Sequence, residues 1–181
     1  GLCMLTVGRR GRVSPVMGMA RPPSALGELV VTDAGVPDGA LVFDLGAGVG
    51  ALCAPLLEAG AHVVAVELNP RRAERLRRRF GTDLRVVESD LRDLRLPRRP
   101  FHVVANPPYG VSSDLLRVLL APGSRLVRGH LVLQDQAVRR WAGPGPPGRR
   151  RWAARLELRA GLRLPAKAVR PPPAGPEPLH I

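Results

Sequence analysis

The sequence predicts an α/β fold in which a mostly parallel sheet carries helices on both faces. Three observations support that expectation. Short, continuous apolar runs alternate with helical stretches between residues 40 and 134, the pattern of strands buried on both faces of a doubly wound sheet. The first run leads directly into three glycines at alternate positions, and later runs end on an acid or an amide. No run approaches membrane-spanning length.

The elements follow in order. Residues 1–23 mix Gly, Arg, Pro and Met without a sustained period and are expected to form a flexible basic arm. The domain itself is expected over 24–170, followed by a Pro-rich tail at 171–181. A short helix is expected from Leu26 to Ala34, closed by Gly35 and Pro37. "ALVFDL" (40–45) is the first expected strand, "ALCAPLLEAG" (51–60) a short helix stopped by Gly60 in spite of Pro55, and "HVVAVEL" (62–68) the second strand. Asn69 is a good N-cap with Pro70 at the first helical position, so "RRAERLRRRF" reads as a helix that Gly81 ends. "LRVVES" (84–89), "FHVVAN" (101–106) and "HLVLQ" (130–134) are further strands, and Ser112 or Ser113 caps a helix running to Leu120. "WAGPGPPGRRR" (141–151) reads as a loop, while "RLELRAGLRLP" (155–165) alternates as strands do at a sheet edge.

At 181 residues the chain suits one domain with a real core. Its charge is unevenly placed. Residues 22–138 carry 14 basic and 13 acidic side chains, whereas residues 139–170 set nine Arg and Lys167 against Glu157 alone. Arg9, Arg10, Arg12 and Arg21 add charge at the start. A near-neutral body with basic ends suits a polyanion such as nucleic acid; the competing reading is a solubilising surface in an Arg-rich chain. Cys3 and Cys53 make no disulfide framework and have no metal-ligand spacing, so no metal is expected. "GLCMLTV" is too short an apolar run for a signal segment, and Met4, Met17 and Met19 are candidate initiators. A cytoplasmic monomer without membrane contact is expected.

The chemistry concentrates at strand ends. Gly46, Gly48 and Gly50 in "FDLGAGVGAL" (43–52) let the backbone turn tightly and approach a ligand closely. Glu67 ends the second strand, 21 residues after Gly46, where an acid accepts from ribose hydroxyls. Asp90 follows the third strand, where a carboxylate can accept from an adenine amino group. Against this stands the plainer reading of solvated acids at strand ends. Together the three signals suit an adenosine-containing cofactor, and NAD and S-adenosylmethionine both remain open.

"VVANPPYGVSS" (103–113) separates them. Asn106 and the carbonyl of Pro107 can accept both hydrogens of one exocyclic amino group, Pro fixes φ, and Tyr109 offers a face for a planar base. An aromatic amine is a poor nucleophile because its lone pair is delocalised. Two acceptors on its hydrogens favour a pyramidal nitrogen and stabilise the charge that builds during methyl transfer. The plainer reading is a strand-ending turn, which Asn and Pro favour.

On these motifs the chain resembles S-adenosylmethionine-dependent amino-methyltransferases of Rossmann-like fold. Within them it is most similar to the Erm 23S rRNA adenine-N6 methyltransferases, relatives of the KsgA rRNA dimethylases. The resemblance runs over about residues 26–173, through "LVFDLGAGVGAL", "VVAVELNPRR" and "RLPRRPFHVVANPPYGVSSDLLRVLLAP", with "LVLQ" and "LRLP" following. Asn-Pro-Pro-Tyr replaces the usual Asn-(Leu or Ile)-Pro-(Tyr or Phe), and the likeness is to the short mycobacterial form without a C-terminal helical domain.

The resemblance implies cofactor contacts at Asp44, Gly46, Ala47, Gly48, Glu67, Leu68, Asp90, Leu91 and Asn106. It implies catalytic roles for Asn106, Pro107 and Tyr109, a 23S rRNA partner, and resistance to macrolides, lincosamides and streptogramin B. Arg149, Arg150, Arg151 and Trp152 are expected to contact RNA, with Trp152 as core the alternative. The helix 70–80 reads equally well as a basic contact face and as a solvated one. The chain departs from the family pattern at "ARPPSA" (20–25), at Val169 where a Phe usually stacks on the adenine, and at "PPPAGPEPLHI" (171–181). DNA adenine, a protein glutamine, or a non-catalytic RNA-binding relative are the other readings.

Overall fold

The computed structural model describes residues 2–9, 26–142 and 156–164. Seven strands form one sheet: β1 (Leu2–Arg9), β2 (Leu41–Leu45), β3 (His62–Glu67), β4 (Arg85–Glu88), β5 (Phe101–Ala105), β6 (Leu126–Gln134) and β7 (Leu156–Leu164). Their spatial order is β4-β3-β2-β5-β6-β1-β7. Strands β2 to β6 pair in parallel, while β1 runs antiparallel to both β6 and β7. The expected α/β fold with a mostly parallel sheet is therefore the observed one.

Among the described residues five helices connect the strands: α1 (Leu26–Ala34), α2 (Cys53–Glu58), α3 (Pro70–Phe80), α4 (Ser112–Leu119) and α5 (Asp135–Ala142). Side chains of α1, α2 and α3 share one core cluster with Val42, Val63, Ala65 and Val104, and those of α4 and α5 share the other with Phe43, Leu45, Val103 and Leu131. Alternate strand residues thus feed opposite layers, as a pleated sheet buried on both faces requires. Phe43 and Phe101 meet edge to face in the second layer, with ring centroids 5.6 Å apart. The Asn69 side chain caps α3 by accepting from the backbone N–H groups of Arg71 and Arg72, with Pro70 next in line.

The first nine residues correct an expectation. Residues 2–9 are not an arm; they form a strand inserted between β6 and β7, in register from Leu2 opposite Gln134 to Gly8 opposite Arg128. Cys3, Met4, Leu5 and Val7 are buried, and each large apolar side chain hidden this way contributes roughly 1.5–3 kcal/mol. An apolar segment left in water would forgo that gain, and β6 offers an edge to pair with. The rest of the expected arm, the loop from 143 on and the tail at 171–181 lie outside the described residues.

Smaller corrections follow from β6, which begins at Leu126 rather than at His130. His130 therefore sits mid-strand and buried, beside Thr6 of β1 with the Thr6 hydroxyl 3.4 Å from its Nδ1. Residues 155–165, expected as edge strands, hold one strand, β7, at one edge of the described sheet. Trp141, expected to pack, does pack against the layer of α4 and α5.

The sheet order places the site. From β2 the chain moves outward to β3 and β4, then returns to the other side of β2 as β5. The carboxyl ends of β2 and β5 thus flank a topological switch point, where open α/β sheets bind ligands.

Candidate functional site

The loop after β2 is pinned from several directions. The backbone N–H groups of Gly46 and Ala47 donate to the Val66 carbonyl at 2.8 and 3.1 Å. Gly46, Gly48 and Gly50 all have positive φ, the region that other residues enter only with strain. At Gly46 there is a second constraint. A β-carbon there would stand 2.9 Å from Cδ of Pro108, so the glycine loop and the Asn-Pro-Pro-Tyr loop abut with no room for a side chain. Gly50 packs in the same way on Leu76 and Phe80 of α3.

Glu67 holds the next contact. It is buried, its Oε2 accepts from the Gly48 N–H and its Oε1 from the Asn69 N–H, both at 2.8 Å. Each oxygen keeps a free lone pair for a ligand hydroxyl. Beside it Leu68 stands 52% exposed, which is unusual for a leucine directly after a buried strand. At the end of β4, Asp90 caps a short turn over Leu91–Asp93 by accepting from the Arg92 N–H at 2.9 Å. Leu91 itself is buried, near Gly46.

Asp44 is the least comfortable group. It is 1% exposed, its Oδ2 accepts from the Cys53 thiol at 3.3 Å, and its Oδ1 has no hydrogen-bond partner among the described residues. Burial, together with the nearby Glu67 carboxylate and against the Cys53 hydrogen bond, pushes its pKa up to about 7. The Cys53 thiol is pushed upward too, by burial and by the Asp44 charge. The sequence places Cys53 on a short helix; its service to Asp44 depends on how α2 folds back over β2, which spacing alone does not reveal.

At the end of β5, Asn106 repeats the pattern. Its side-chain Oδ1 is buried and unpartnered among the described residues. Pro107 follows, and Tyr109 opens a short turn over 109–111 with 40% of its surface exposed. The Ser112 hydroxyl donates to the Tyr109 carbonyl at 3.1 Å and fixes that turn. Val49, Leu68 and Tyr109 are the exposed large apolar side chains among the described residues, and all three lie on loops at the carboxyl ends of β2, β3 and β5.

The structure thus brings Asp44, Gly46, Ala47, Gly48, Glu67, Leu68, Asp90, Leu91, Asn106, Pro107 and Tyr109 to one end of four adjacent strands. Arg149, Arg150, Arg151, Trp152, residues 20–25 and Val169 lie outside the described residues. Among the described residues no cluster of His, Cys, Asp and Glu is fit to hold a metal, and no helix is long and apolar enough to cross a membrane.

Comparison with known proteins bears on this end of the sheet. A family model described as ribosomal RNA adenine dimethylase matches residues 28–173. The ribosomal RNA small subunit methyltransferase A of Cupriavidus taiwanensis is 37% identical over 145 residues, which cover 75% of this chain and 52% of that protein. An rRNA adenine N-6-methyltransferase of Bacteroides fragilis is 38% identical over 96 residues, 51% of this chain and 36% of that protein. The chain spans about half the length of the small-subunit enzymes it matches. Among solved structures, the 23S rRNA methyltransferase ErmE superposes with a TM-score of 0.60 at 25% identity, covering 65% of this chain and 48% of that one. A dimethyladenosine transferase from Plasmodium falciparum gives 0.58 at 25% identity, with 66% and 44% covered.

Proposed function

The chain belongs to the ribosomal RNA adenine dimethylase family, and from that premise we propose that it transfers methyl from S-adenosylmethionine to the N6 amino group of an adenine in ribosomal RNA. One observation carries the proposal: the buried, unpartnered Oδ1 of Asn106, on a loop that abuts the glycine loop through Pro108 and Gly46. A buried acceptor without a donor is costly, and an amino group entering the crevice would offset that cost.

The residues present fit the cofactor. The unpaired Oδ1 of Asp44 suits an ammonium group, the spare lone pairs of Glu67 suit ribose hydroxyls, and Leu68 beside them offers an apolar surface for an adenine ring. When bound, the cofactor supplies an electrophilic methyl group on a sulfonium. Asp44 takes up the charge of its partner by ionising, which its raised pKa permits near neutrality. Asp90 accepts from an adenine amino group.

On the acceptor side, Asn106 and the Pro107 carbonyl take the two N6 hydrogens and hold the nitrogen lone pair toward the cofactor crevice. As the bond forms, positive charge grows on N6, and both oxygens stabilise it. Tyr109 stacks on the base, which leaves its helix if it is paired there. The proton departs to water after transfer, so no strong base is required. An rRNA substrate places this work in the cytoplasm.

For the target, the first reading is 23S rRNA with resistance to macrolides, lincosamides and streptogramin B. It rests on the Erm-like motifs and is supported by the likeness to ErmE. The small subunit rRNA is the second reading, favoured by the names of the relatives that match over three quarters of the chain. Labelled S-adenosylmethionine, offered with protein-free 16S and 23S rRNA in parallel, separates them. Methyl mapped to a 23S adenine supports the first reading and to a 16S adenine the second; label on neither, with cofactor bound, refutes both.

A further inference from the structure

α3 carries charge that its own stability does not account for. Its inward positions Arg72, Ala73 and Leu76 are buried, and the outward side is almost entirely arginine. Several of these arginines are engaged. Arg77 pairs with Glu88 at 2.6 Å, Arg78 with Glu74 at 3.1 Å, and Arg79 donates to the Val49 carbonyl at 3.0 Å while lying over the Phe80 ring. Arg71 and Arg75 differ. Both are exposed, and neither has an acidic partner among the described residues.

Their positions are unfavourable in two ways. Arg71 stands in the first turn, where unsatisfied N–H groups and the helix dipole favour acids, and that turn holds none. Arg75 is four residues on, so the two like charges face each other on adjacent turns and repel. An anion lying against both would relieve each cost at once. The location suits one: Arg71 stands four residues after Glu67, the last residue of β3, with Leu68, Asn69 and Pro70 between. β3 is separated from β5 and its catalytic loop only by β2, or about 10 Å at ordinary strand spacing.

We propose that Arg71 and Arg75 form a ridge that grips the phosphate backbone of the substrate RNA beside the crevice. This rests on the rRNA methylation reading and adds to it a contact that the descriptions of relatives do not assign. Phosphates on the ridge position the strand without reading its sequence, while selection of the adenine stays with the crevice.

The test uses the full chain and a labelled rRNA fragment that it methylates, titrated at several salt concentrations. Arg71→Gln and Arg75→Gln are each expected to weaken RNA binding about three- to tenfold and to lower the slope of log K against log salt by roughly 0.7–0.9. Arg71→Lys retains the slope, and S-adenosylmethionine affinity changes by less than about twofold in every variant, which also reports on folding. Arg85→Gln, exposed on edge strand β4, is the control for net charge. Unchanged affinity and slope in both ridge variants, or an equal loss in Arg85→Gln, overturns the ridge and leaves the methylation reading standing. A wild-type chain that binds cofactor but neither binds nor methylates rRNA overturns both.

Discussion

Replacing Asp44 with Asn should stabilise the cofactor-free protein and weaken its hold on the cofactor. The carboxyl is 1% exposed, and its pKa rises from 3.8 to about 7 on folding. Between those values the native state keeps a proton that the unfolded chain has lost, so stability falls as pH rises from about 4 to about 7 and levels off above that. Each pKa unit is worth about 1.4 kcal/mol, which puts the cost above pH 7 at no more than about 4 kcal/mol. Asparagine matches the shape, retains an oxygen for the Cys53 thiol, and does not titrate. Urea unfolding of wild type and Asp44→Asn at pH 5.5 and pH 8.5 isolates the effect, because all other groups cancel in the difference. The variant should be ahead by about 2 kcal/mol at the lower pH and by about 4 kcal/mol at the higher, so the gap should widen by roughly 2 kcal/mol between them. Cofactor affinity of the variant should be at least about tenfold weaker at pH 8.5, where the lost charge matters most. A stability difference independent of pH would refute the argument that Asp44 is held against ionisation.

Four other substitutions have outcomes set by burial and backbone geometry. Glu67→Gln turns an amide N–H₂ toward either the Gly48 or the Asn69 N–H, losing a charge-assisted bond worth about 1.5–3 kcal/mol; thermal unfolding and cofactor titration should both register the loss. Gly46→Ala meets Pro108 as well as an unfavourable φ, whereas Gly39→Ala meets open space at a similar φ. Both should lose roughly 1–2 kcal/mol to backbone strain, but only Gly46→Ala should also lower kcat, read in a steady-state methyl-transfer assay. Burial, aided by Arg128 and His102, lowers the His130 pKa from 6.5 to about 4. Stability should therefore fall as pH drops from 6.5 toward 4, by at most about 3 kcal/mol, and His130→Phe should remove that dependence in denaturant titrations.

The central strands were legible because burial on both faces leaves a continuous apolar run, as in "HVVAVEL" and "FHVVAN". The residue types at their ends were legible for the same reason, since a polar side chain stands out where such a run stops. β1 was not. Its pairing partner β6 lies more than a hundred residues away, and Gly8 and Arg9 at its end blend into an irregular basic stretch. α5 was missed because its turns show little beyond Val138 and Trp141 to set a period. The contacts that define the site as a device, Cys53 with Asp44 and Pro108 with Gly46, join segments that only the folded sheet brings together.

The most direct test of the account is single-turnover methyl transfer by Asn106→Ala, with cofactor affinity measured on the same preparation. If Asn106 grips the reacting amine, the rate constant should fall by about 10²–10³, as when one preorganised transition-state contact is removed, while cofactor affinity falls less than about tenfold. A variant that transfers methyl at close to the wild-type rate would contradict the role given to that unpartnered oxygen, and with it the proposed chemistry of the site.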